Sequence, residues 1–211
     1  MNKGQERSTK EKIMLASIDL FAEKGYKEIS VREIAKAVGI KASSLYKHYE
    51  NKEDILESIF AMFQEKMGQT AFPQEELKGY VNSVSPETYF YESFELFKKI
   101  MWAPVFVKIA RIITIEHRRS QSVRKFFLEE LIEKPAQMLR DVLDIMTENG
   151  SIGRVDTRVA AEEYTSYIVY LFFEQNFLKE SLSLEEIERK MAQHNDFFVH
   201  TILKKKEDHS E

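Results

Sequence analysis

Within residues 41–48 the chain places Lys41, Ser43, Ser44, Tyr46, Lys47 and His48, a run of short polar and basic side chains. A lysine ammonium can donate to guanine, and a serine hydroxyl bonds either way. Lys41, Ser43, Ser44 and Lys47 therefore suit the base edges of a DNA major groove. Such chemistry needs all four on one exposed face of a rigid element.

The flanking residues supply that element. Ser30 can cap a helix, and Glu33 three residues on completes a capping box. Val31, Ile34, Ala35 and Val38 then fall at i, i+3, i+4 and i+7, one apolar stripe. Gly39 stops the helix, because a residue without Cβ takes the left-handed conformation cheaply. A second helix begins within a few residues. Ala42, Leu45 and Tyr49 are spaced to pack it back on the first, which leaves the polar set outward. Residues 30–49 thus have the layout of a helix-turn-helix whose second helix enters the major groove.

Further motifs extend the pattern: Gly25-Tyr26 after an amphipathic first helix, Val31-Arg32-Glu33-Ile34-Ala35, Gly39-Ile40, Leu45-Tyr46-Lys47-His48-Tyr49 and Asn51-Lys52-Glu53-Asp54-Ile55-Leu56. Over its first third the chain resembles the TetR family of bacterial transcriptional regulators. It departs from the usual pattern in Lys41-Ala42-Ser43-Ser44, where the lysine is displaced by one position, and in Tyr49, where the family has Phe. The resemblance implies a phosphate-contacting role for Tyr46, His48 and Lys52, with Arg32 similarly placed early in the first helix of the motif. It puts the family's phosphate and base contacts at Lys41 and Ala42, beside the capping Ser30. It also implies a body that binds a small effector and releases DNA in response.

The 211 residues carry 31 Lys and Arg against 35 Asp and Glu, a net charge of −4. That total hides an asymmetry. Residues 1–52 hold 11 basic and 7 acidic side chains, and the remainder 20 and 28. A basic N-terminal module on an acidic body is the balance expected when one end meets DNA. Residues 1–8 read as a mobile polar arm in which Lys3 and Arg7 are in reach of phosphates. Cysteine is absent, which excludes disulfides and thiolate metal sites and suits a cytoplasmic location. No apolar run is long enough to span a membrane, and no signal-peptide block opens the chain. Seven Gly and four Pro, with long periodic stretches between them, predict an all-α protein of about nine helices. Two domains are expected: a three-helix DNA-binding domain over 5–66, and an effector-binding and dimerisation domain over 67–211. Residues 68–85 read as irregular, and Pro135 as a kink in one long helix over 122–149.

Of the 25 aromatic residues, 21 follow position 52. Phe90, Phe94, Phe97, Trp102, Phe106, Tyr164 and Tyr167 are the candidates for an apolar ligand site. Aromatic residues at helical spacing also serve as plain core. The helix over 157–178 is apolar nearly all round, and Ile187, Met191, His194, Phe198 and Ile202 stripe the last one. These two helices resemble the pair with which the family builds an antiparallel four-helix dimer interface, which puts Phe172, Met191, Phe198 and Ile202 at the contact. Five scattered histidines offer no metal-ligand spacing, and no nucleophile elbow or phosphate-cradling loop is present. The expectation is a homodimeric repressor with no cofactor and no enzymatic activity. It binds double-stranded operator DNA and an apolar or aromatic effector, and no membrane. The alternative is a protein-binding co-regulator of the same fold.

Overall fold

The computed structural model describes residues 8–69, 73–118, 120–179 and 183–204. Lys3, Arg7, Lys205 and Lys206 lie outside them. The α-helices run in chain order as α1 (Thr9–Lys24), α2 (Val31–Val38), α3 (Ala42–Leu45), α4 (Lys52–Gly68), α5 (Gln74–Ser83), α6 (Pro86–Met101), α7 (Pro104–Glu116), α8 (Gln121–Leu128), α9 (Lys134–Glu148), α10 (Thr157–Phe173) and α11 (Leu184–Phe197). Single π-helical turns follow α8 (Glu129–Glu133), α10 (Glu174–Leu178) and α11 (Phe198–Ile202). No strand occurs among the described residues.

Side-chain caps set most of the starts. Ser8 accepts from the Glu11 amide, Asn51 from Asp54, Asp156 from Val159 and Ser183 from Glu186, each taking up one of the free N–H groups of a first turn. The expected irregular stretch after residue 68 contains α5, whose Val81 is fully buried and which packs on α9. Tertiary burial here overrides the breaking tendency of Gly79. Residues 121–148 are helical without a break, as the one expected long helix requires. Pro135 sits in the first turn of α9, directly after a π turn.

The chain forms two compact units. Of the described residues, the first unit takes those within 1–69 and 100–127, and the second those within 70–99 and 128–211. In the first, α1 packs on α2, α4 and α7. The Phe60 ring stacks on Phe126 with centroids 4.1 Å apart, and Phe63 meets Phe106 at 5.3 Å and Phe126 at 5.5 Å. Helices α1 and α4, which flank the helix-turn-helix, thus share their core with α7 and α8. In the second unit α9 packs on α5 and α10, and Phe90, Tyr164 and Phe198 form a mutual ring cluster at 4.9–5.4 Å.

Candidate nucleic-acid interface

The motif is built from the cap outward. The Ser30 hydroxyl accepts from the Glu33 amide at 3.3 Å, and the Ser30 amide donates to Glu33 Oε2 at 2.8 Å, so both halves of the capping box are made. The donation from the Ser30 backbone holds the Glu33 carboxyl below its ordinary pKa. Ile34 and Ala35 bury the inner face of α2. Gly39 ends it at φ 75°, with the Ile40 amide returning to the Ala35 carbonyl at 2.9 Å. Lys41 then caps α3 through its backbone carbonyl, which accepts from the Ser44 and Leu45 amides.

Helix α3 is a single regular turn, prolonged by further turn hydrogen bonds as far as Tyr49. Leu45 is fully buried and Tyr49 nearly so, and they pin the element from inside. The Tyr49 hydroxyl donates to the Lys10 carbonyl at 3.3 Å and accepts from Ser58. Tyr49 is therefore an anchor and no contact residue. Lys41, Ser43, Tyr46, Lys47 and His48 face solvent, while Ala42 and Ser44 are half-buried at the flank. Tyr46 keeps 55% of its surface exposed. Arg32 is exposed on α2, and Ser30 is exposed with its hydroxyl committed to the cap.

Lys52 behaves otherwise. Its ammonium donates to the Tyr26 carbonyl at 2.7 Å and the Ile29 carbonyl at 2.8 Å, with the Lys27 carbonyl at 3.5 Å, and it lies 4.2 Å over the Tyr26 ring. Burial lowers its pKa, against the opposing pull of Glu53 first and Glu116 next. The expected phosphate contact at Lys52 is thus replaced by a clamp on the turn between α1 and α2. Its donors already have partners inside the protein.

Residues 13–59, which include the described part of the motif from α1 into α4, match the family of bacterial regulatory proteins, tetR family. Residues 94–201, more than half of the chain, match the AefR-like transcriptional repressor C-terminal domain. The chain belongs to the TetR family. It is 42% identical over 65 residues to the fatty acid metabolism regulator protein of Bacillus subtilis, covering 31% of this chain and 32% of that one. It is 52% identical over 46 residues to the biofilm operon regulator IcaR of Staphylococcus epidermidis, covering 22% and 25%. The chain spans about a quarter to two-fifths of the length of such curated relatives. Among solved structures it is similar to GusR of Salmonella enterica, at TM-score 0.66 and 21% identity over 96% of this chain and 99% of that one. A TerR/AcrR-family regulator of Aquifex aeolicus aligns at TM-score 0.69 and 22% identity, over 90% and 99%. At these identities the structures establish the shared TetR-family fold.

The other expected sites of this TetR-family chain fare differently. The seven aromatic candidates divide between the two units. Phe106 packs into the first beside Phe63, and Trp102 is buried there as well. Phe90 and Tyr164 pair in the second, where Tyr167 stacks on His194 at 4.1 Å. Phe94 is buried in the same unit and Phe97 half-buried. Of the expected dimer contacts, Met191 and Phe198 have no exposed surface, Phe172 is also buried and Ile202 is half-buried. Side chains enclosed in their own unit have little area to offer a second copy. The exposed apolar residues of the same helices are Val159 and Tyr170 on α10 and Leu184 and Phe197 on α11. Among the described residues no group of three or more His, Asp or Glu is placed to hold a metal, and no helix is long and apolar enough to cross a membrane.

Proposed function

We propose that this TetR-family protein is a ligand-responsive repressor that binds a palindromic operator as a homodimer. The observation that carries the reading is α3. A buried Leu45 and Tyr49 hold it, and its outer side carries Lys41, Ser43, Tyr46, Lys47 and His48 to solvent. Arg32, Tyr46 and His48 serve the phosphates and fix the register of the protein on the duplex. Lys41, Ser43, Ser44 and Lys47 read base edges, with Ala42 available to a thymine methyl. Dimerisation uses the outward faces of α10 and α11, around Tyr170 and Phe197. That arrangement asks for half-sites about 34–36 Å apart, or a longer site that takes two dimers. An apolar or aromatic effector is assigned to the second unit, near Phe90, Tyr164 and Tyr167. There the Tyr164 hydroxyl donates to Asn195 Oδ1 at 2.8 Å.

The test is selection of bound fragments from the organism's own genomic DNA, followed by titration of the recovered duplex at several salt concentrations. A recovered palindrome, bound with steep salt dependence, supports the reading. Recovery of no sequence above background removes it and leaves the co-regulator alternative.

A further inference from the structure

The turn that leads into α2 is clamped by Lys52 and has a buried carboxylate close to its first residue. Glu116 is the last residue of α7, with 2% of its surface exposed. Its Oε1 has no hydrogen-bond partner among the described residues and lies 3.6 Å from the point a Cβ on Gly25 would occupy. Gly25 ends α1 at φ 89°, a backbone conformation that favours glycine, with the Glu116 oxygen at ordinary contact distance. The Lys52 ammonium gathers the Tyr26 and Ile29 carbonyls. Tyr26 is also fixed through its hydroxyl, which donates to Glu53 at 2.6 Å, and through its ring, edge-on to Phe21 at 5.1 Å.

Four carboxylates act on the Lys52 charge: Glu53, Glu116, Glu28 and Glu33. Glu53, Glu28 and Glu33 are exposed, so water and salt screen them. Glu116 alone of the four is buried. At equal separation, a pair in an environment of effective dielectric about 20 interacts about four times as strongly as one in bulk water. A half-buried ammonium whose N–H groups all point at neutral carbonyls needs such a counter-charge. The Lys108–Asp19 ion pair, at 2.7 Å, ties α7 to α1, so the carboxylate is delivered from an element already fixed to this unit.

We infer that Glu116 is a positioning residue for DNA binding, acting with Lys52 to fix the Gly25–Ser30 turn and through it the placement of α2 and α3. The inference rests on the proposed DNA-binding function, but its first readout does not need DNA. The experiment is a double-mutant cycle in the full chain: Glu116→Gln, Lys52→Met and the two together. Amide exchange is followed without DNA, and affinity is measured for a duplex selected by the wild-type protein from a random-sequence pool. Glu116→Gln keeps size and removes charge. It is expected to leave the melting temperature near wild type, to speed exchange at residues 25–38 roughly three- to tenfold, and to weaken the selected duplex by a similar factor. The double variant is expected to be no worse than Lys52→Met alone, because the two act on one another. Glu116→Asp, which keeps the charge, should stay closer to wild type than Glu116→Gln. Additive losses, a Glu116→Asp protein worse than Glu116→Gln, exchange quickened evenly over α1, α4 and α7, or failure of Glu116→Gln to fold would each overturn the inference. If the wild-type protein selects no duplex, the DNA-binding reading fails, while the exchange cycle still decides the role of Glu116 in holding the turn.

Discussion

Tyr46 and Lys52 lie six residues apart, and the resemblance gives both the same role, yet their surroundings separate them. The Tyr46 ring stands in solvent, whereas the Lys52 ammonium is spent on backbone carbonyls. Tyr46→Phe should therefore weaken duplex binding by about 0.5–1.5 kcal/mol, one hydrogen bond, with no change in melting temperature. Lys47→Ala should lower the slope of log affinity against log salt by about one if its ammonium meets a phosphate, and relax preference at one base pair if it meets a base. Lys52→Met should weaken binding without changing that slope, because it removes no phosphate contact. A salt titration of the three variants separates these outcomes. His194 carries a further residue-scale prediction. Its ring is buried against Tyr164 and Tyr167, Nε2 has no hydrogen-bond partner among the described residues, and burial pushes its pKa from 6.5 down to about 4. The folded state thus binds this proton less readily than the unfolded state. Its cost is absent above about pH 6.5 and grows as pH falls toward 4, by at most about 1.4 kcal/mol per pH unit for one proton. Replacing His194 with Phe should flatten the acid side of the stability curve in chemical denaturation across that range. An unchanged acid limb would refute the assignment.

At the scale of elements, the helix starts were written in the sequence because a cap is local. Ser8, Ser30, Asn51 and Ser183 each precede a turn whose third amide they accept from. Gly39 was legible for the same reason, since its φ of 75° penalises any side chain even though nothing crowds a Cβ there. Gly39→Ala should cost about 1–2 kcal/mol of stability in the first unit, and Ser30→Ala about 1 kcal/mol, both measurable by denaturant unfolding. What the sequence did not disclose depends on partners far along the chain. Helix α5 contains Gly79 and begins after Pro73, and it is held by Val81 and its packing on α9 rather than by propensity. The π turns leave no local mark, because Glu129–Glu133 has ordinary helical composition and differs only in ring size. Nothing local in the sequence ties Glu116 to the turn before α2. It stands 64 positions from Lys52, and the packing of α7 on α1 brings it into the same unit.

For the whole molecule, the apolar stripe of the last helix, expected at a dimer contact, is largely covered within its own unit. Periodicity shows that a face is covered and cannot say by which chain. Met191 and Phe198 are covered within their own unit. Phe198→Ala should therefore destabilise the second unit by about 3–5 kcal/mol at any protein concentration. If the proposed dimer uses the outward faces, Tyr170→Lys and Phe197→Glu should leave the protomer folded and shift sedimentation toward the monomer. The two classes of variant are told apart by whether the melting temperature depends on concentration.

The first unit is assembled from two separated stretches of the described chain, within residues 1–69 and 100–127. On the ribosome, Phe60 and Phe63 are made well before their partners Phe106 and Phe126. At about 5–20 residues per second, the DNA-reading half waits several seconds with one side of its core uncovered. A nascent chain halted after α4 is thus expected to attract chaperones and to be cut by proteases. One halted after α8 has cleared the tunnel should resist both, so the molecule cannot present a finished reading head before much of its body has been translated.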